Sequence, residues 1–93
     1  MMPVAESVTV RINGMRFEPM NLTIKPGTTV IWVQESTMPH SISGKSGNLR
    51  SNTLNGGKQF SYTFDQMGRF DYVCGLHPSM KGSIVVEEAG LDS

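Results

Sequence analysis

The sequence holds one cysteine, Cys74, and two histidines in 93 residues. A single thiol excludes any disulfide within the chain, and cysteine usage therefore says nothing about compartment. No apolar run approaches the roughly 18 to 20 residues that cross a bilayer, so no membrane span is expected. Met1 to Glu6 lack the charged-then-apolar layout of a secretion signal, so either the chain stays inside or a leader has been removed. Charge of one sign is missing too: eight Lys plus Arg balance eight Asp plus Glu. Without a net positive field, nucleic acid is excluded as a partner. No window sustains a 3.6-residue apolar period, which leaves little room for amphipathic helix.

What is present is alternation. Val8, Val10 and Ile12 alternate with Ser7, Thr9, Arg11 and Asn13, and Leu22 and Ile24 repeat the pattern before Pro26-Gly27. A β-branched run around Trp32 follows from Thr28 to Gln34, and Pro26-Gly27 predicts a hairpin between these two strands. Beyond His40 the chain turns polar and glycine-rich from Ser43 to Lys58. Leu49 and Leu54 are isolated apolar anchors there, and Asn55-Gly56-Gly57 is the strongest turn signal, so a loop holding a short strand or turn is expected. Phe60, Tyr62 and Phe64 alternate, Asp65 to Gly68 interrupts, Phe70, Tyr72 and Cys74 alternate, and Gly82 to Glu87 supplies a last strand. Seven or eight short strands with frequent turns predict an all-β sandwich or barrel, a single domain over residues 1–93 with flexible ends at 1–6 and 88–93.

The chemistry concentrates in Tyr72-Val73-Cys74-Gly75-Leu76-His77-Pro78-Ser79-Met80-Lys81-Gly82. Cys74, His77 and Met80 recur every third residue where a strand runs into a loop. A strand cannot turn all three to one side, whereas a tight loop can, and Gly75 and Pro78 suit such a turn. A lone Cys or Met is ordinarily core filler. The combination is different: thiolate, imidazole and thioether together suit copper cycling between its +1 and +2 states, while zinc rarely recruits Met. A two-His, one-Cys plane with a weak axial sulfur needs a second imidazole, and His40 is the one other histidine. It lies just past the Thr28 to Gln34 run, and a sandwich can bring the two loops to the same end. The metal ligands expected are His40, Cys74, His77 and Met80. Met1, Met2, Met15, Met20, Met38 and Met67 lack that spacing and read as packing, surface or tail.

These residues resemble a cupredoxin, the type 1 blue copper family, and within it the amicyanins with their pseudoazurin and plastocyanin relatives. The resemblance runs nearly end to end, through Met38-Pro39-His40, Phe60 to Phe64, Gly68 to Tyr72 and the short Cys74-x-x-His77-x-x-Met80 loop. It implies a Greek-key β-sandwich of eight strands, one copper ion held equatorially by His40, Cys74 and His77 with Met80 axial, and electron transfer as the activity. It also implies a periplasmic or otherwise extracytoplasmic location. The family usually has Asn after the first His. This chain has Ser41, which is expected to donate a hydrogen bond across the site and to alter potential and rigidity.

His77, flanked by Leu76 and Pro78, is expected nearest solvent. With Met15, Met38 and Pro39 these residues predict an apolar docking patch for transient redox partners of a monomer. Catalysis is not expected, because both histidines are consumed by one site and none remains for a second centre. The competing role is a copper carrier or chaperone that delivers the ion instead of electrons. A metal-free adhesion sandwich would leave the ligand spacing unexplained.

Overall fold

Period-two patterning resolves into two four-stranded sheets in the computed structural model, which describes residues 6–45 and 49–88. Sheet I carries, in spatial order, β2 (Arg16–Glu18), β1 (Ser7–Asn13), β4 (Thr28–Gln34) and β6 (Gln59–Phe64). Sheet II carries β3 (Asn21–Ile24), β8 (Lys81–Val86), β7 (Gly68–Val73) and β5 (Ser43–Gly44). The all-β sandwich expected from the sequence is the fold found, with no helix among the described residues. Apart from Glu6 and Glu88, the ends expected to be flexible lie outside the described residues, as do Met1 and Met2.

Alternation places one face of each strand inward. Along β4, Thr28, Val30, Trp32 and Gln34 are buried while Thr29, Ile31 and Val33 are partly exposed. Trp32 is the centre of the core. Its ring meets Tyr72 of the opposite sheet edge-on at 5.4 Å and 85° between centroids and planes, with Phe60 and Phe64 beside it. Val10, Ile12, Phe17, Ile84 and Val86 complete the contact between the sheets. Leu49 and Leu54 anchor the long connection as expected, at 3% and 6% exposure. Within that connection β5 pairs with β7, and single bridges join His40 to Leu54 and Ser43 to Arg50.

Two expectations need correction. Pro26-Gly27 does not close a hairpin: β3 pairs parallel to β8 in sheet II, whereas β4 pairs parallel to β1 and antiparallel to β6 in sheet I. The turn instead carries the chain from one sheet to the other, with the Gly27 N–H donating to the Phe64 carbonyl at 2.7 Å and Thr28 N–H to Lys25 at 3.2 Å. The second correction concerns β2, which the alternation analysis passed over. Asn13-Gly14 is a strong hairpin signal, and Gly14 adopts the left-handed φ of 63° that such a turn requires.

Tyr72 is 1% exposed, and neither its hydroxyl nor the Trp32 indole N–H has a hydrogen-bond partner. Burial pushes the phenol up to about 12, and the nearby Trp32 N–H opposes that rise without reaching hydrogen-bond geometry. A folded-state value above the unfolded one means the neutral phenol stabilises the fold below the ordinary tyrosine range. That contribution is lost as pH climbs from about 10 toward 12. Denaturant unfolding at pH 11 is expected to show a loss of about 1 kcal/mol relative to pH 9 from this group. In Tyr72→Phe that part of the loss disappears; an identical alkaline slope in both proteins would refute the assignment.

Candidate metal centre

The loop after β7 owes its shape to two consecutive tight turns. His77 N–H donates to the Cys74 carbonyl at 3.1 Å and Met80 N–H to the His77 carbonyl at 2.9 Å. A third bond, from Cys74 N–H to the Met80 carbonyl at 2.9 Å, closes the ring. The every-third-residue spacing of Cys74, His77 and Met80 is thus the period of these turns, each linked by main chain to the next.

His40 reaches the same end of the sandwich from the connection after β4. Its backbone pairs with Leu54 in both directions, at 3.1 Å and 2.6 Å. Its ring Nε2 lies 2.9 Å from the Gly14 carbonyl, which can only accept, so Nε2 carries the hydrogen and Nδ1 is left with a free lone pair. Nδ1 stands 3.5 Å from the Cys74 Sγ. Burial lowers the His40 pKa, against the opposing pull of the Gly14 carbonyl and with a smaller push from His77.

Of the four candidate ligands, His40, Cys74 and Met80 are buried, at 0%, 0% and 4% exposure, and His77 is half-buried, the nearest to solvent as expected. The imidazoles of His40 and His77 lie with centroids 5.3 Å apart at 63°. The set is joined in pairs: among the described residues no three His, Cys, Asp or Glu side chains close into one cluster. His40 touches Cys74, the His77 ring stands beside His40, and Met80 is tied to Cys74 and His77 through the backbone.

Ser41 links the two loops, but as an acceptor and not the donor expected. Its Oγ accepts from Gly75 N–H at 3.0 Å, and its own N–H points at the Cys74 Sγ from 3.4 Å. The backbone, which already has an N–H to give, reverses the direction the side chain was assigned.

Sequence reasoning missed two residues that support His40. Gly14 was legible through its Asn13-Gly14 turn signal. Gln34 was not, because at the end of an alternating strand it reads as a residue leaving the core, whereas it is 0% exposed.

One end of the sandwich brings a buried thiol beside one imidazole and that imidazole beside a second, with Met80 in the same loop. Residues 4–87 match the family described as copper binding proteins, plastocyanin/azurin family, and the chain belongs to it. It carries one type 1 copper ion and transfers electrons; it is not an enzyme. Among relatives, it is 35% identical to the amicyanin of Paracoccus versutus over 89% of this chain and 67% of that protein. It is 36% identical to the plastocyanin of Scenedesmus fuscus over 86% of this chain and 99% of that protein. The crystal structure of amicyanin from Paracoccus versutus superposes with a TM-score of 0.81 at 34% identity, covering 91% of this chain and 85% of the other.

Proposed function

We propose that His40, Cys74, His77 and Met80 are the ligands of the type 1 copper. The observation that carries this reading is the approach of a free His40 Nδ1 to the Cys74 sulfur, with the opposite ring nitrogen already committed to Gly14. Thiolate, two imidazoles and a thioether suit a cation that alternates between soft and borderline states. When bound, copper supplies the one-electron couple. The chain's own residues fix the His40 tautomer, hold Cys74 and Met80 out of water, and leave His77 as the edge facing solvent.

Met15, Met38 and Leu76 are 49%, 43% and 48% exposed, and Pro39 and Pro78 are exposed with them. Leu76 and Pro78 flank His77, Met38 and Pro39 precede His40, and Met15 follows Gly14, whose carbonyl meets the His40 ring; on this reading they form the apolar face on which redox partners dock briefly. The protein acts as a monomer built of a single domain, in an extracytoplasmic compartment like that implied by its resemblance to amicyanins. No helix of the described residues is long and apolar enough to cross a membrane.

Delivery of the ion is disfavoured by burial, since a carrier must release its cargo and three of the four ligands are closed from solvent. Titration with copper(II) tests the reading. One equivalent should develop the intense visible absorption of sulfur-to-copper charge transfer. Repeated reduction and reoxidation in the presence of a strong copper(I) chelator should leave that absorption undiminished. Colour that drains into the chelator would make the protein a carrier of copper.

A further inference from the structure

Gln34 occupies the last inward position of β4, where the strand pattern calls for another apolar side chain. Its side chain is completely buried, and both amide hydrogens and the amide oxygen are hydrogen-bonded. Nε2 donates to the Met38 carbonyl at 2.7 Å and to the Leu54 carbonyl at 3.0 Å, while Oε1 accepts from Ser36 N–H at 2.8 Å. Two carbonyls demand the nitrogen and one N–H demands the oxygen, so the orientation of the amide is fixed by its partners.

Those partners surround His40. Met38 lies two residues before it, and Leu54 is its bridge partner; the Leu54 carbonyl accepts from both Gln34 Nε2 and His40 N–H. The amide therefore grips both strands of the bridge on which His40 sits. The ring is held separately by the Gly14 carbonyl. These two anchors are not independent, because Ile12 of β1 is in register with Gln34 of β4, and Glu35 N–H donates to the Ile12 carbonyl at 2.9 Å. Gly14 is two residues beyond Ile12, so one parallel ladder carries at its end both the group that holds the His40 backbone and the group that holds its ring.

We propose that Gln34 is a positioning residue for His40: its amide fixes the loop so that Nε2 meets Gly14 and Nδ1 faces Cys74. An apolar side chain of equal size would fill the space but leave the Ser36 N–H without a partner, the Met38 carbonyl with only the Ser36 hydroxyl at 3.4 Å, and the Leu54 carbonyl with only the His40 N–H. The loop would then relax toward water, carrying the ring away from one or both of its contacts. This proposal rests on the ligand assignment above only where copper is read out; the ring geometry stands without it.

The test compares Gln34→Met, which keeps volume and loses all three bonds, with Gln34→Glu, which keeps the acceptor and loses the paired donors. Val86→Ala, at the far end of β8, serves as a control for lost stability alone. In two-bond proton–nitrogen NMR spectra of the copper-free protein at fixed pH, wild type and Val86→Ala should show His40 as a single Nε2–H tautomer. Both Gln34 variants should show a tautomer mixture and exchange of that proton with water at least about tenfold faster. Copper(II) affinity should fall about 10- to 100-fold, the loss typical of removing a group that orients a ligand. If Gln34→Met does not fold, Gln34→Glu carries the same comparison. Wild-type ring spectra in the Gln34 variants, with a melting temperature lowered as in Val86→Ala, would reduce Gln34 to a structural residue and overturn the proposal. Should wild type bind no blue copper while its ring spectra still depend on Gln34, the ligand assignment fails and the positioning role stands.

Discussion

Cys74→Ala is expected to remove all intense visible absorption from the copper-treated protein while leaving a folded sandwich. The colour arises from charge transfer out of a thiolate, and no second thiol exists in the chain to replace it. Met80 cannot substitute, since a thioether sulfur is a weak, neutral donor. The fold should survive because Ala keeps the Cβ and the deletion removes one atom. The cavity left by a group of that size costs about 1 kcal/mol, with a further small loss from the Ser41 N–H that faces the sulfur. Visible spectra after copper addition and thermal melts of the copper-free variant separate the two effects. A variant that stays blue would remove Cys74 from the ligand set; one that is colourless and unfolded would leave only a structural thiol.

Gly82→Ala should produce the largest change in stability, although Gly82 carries no unusual backbone angle. The requirement is space. Gly82 stands opposite Tyr72 in the β7–β8 ladder, and a Cβ there would overlap the Tyr72 ring carbon Cζ and its hydroxyl. The ring has nowhere to go, held edge-on by Phe17 at 4.8 Å and by Trp32 at 5.4 Å. Overpacking of this kind typically costs 1 to 3 kcal/mol, and with the backbone of a central strand displaced the loss should reach about 3 kcal/mol. For a domain of this size that corresponds to a fall of roughly 10 to 20 °C in melting temperature. Because Gly82 follows Met80 by two residues, copper affinity should fall as well. Adding Tyr72→Phe to Gly82→Ala should recover part of the loss, since the hydroxyl is removed and Cζ remains. A melting temperature within a few degrees of wild type for the single variant would show that the ring can yield.

The residues with chemistry were the most legible part of this sequence, and the pairing of its strands the least. Cys74, His77 and Met80 announce themselves because their spacing matches successive turns, and donor chemistry then singles out His40. Strands were readable wherever one face is buried, as in β1 and β4. Parallel pairing of β1 with β4 and of β3 with β8 leaves no mark on a period-two pattern, which specifies facing and not neighbours. That is why Pro26-Gly27 suggested a hairpin where the chain changes sheets. Gln34 and Gly82 were hidden for related reasons. The first is a polar residue whose partners are main-chain groups brought near by folding, and the second is a glycine whose role depends on a ring ten residues earlier.

The position of β8 carries a consequence for how the molecule is made. Although last among the described strands, it lies between β3 and β7, so sheet II has no centre until Lys81–Val86 has emerged from the ribosome. A nascent chain stalled short of this strand would display β3 and β7 as bare edges, open to pairing with other chains. Sheet II therefore closes only once the β8 segment is available to pair with both of its neighbours.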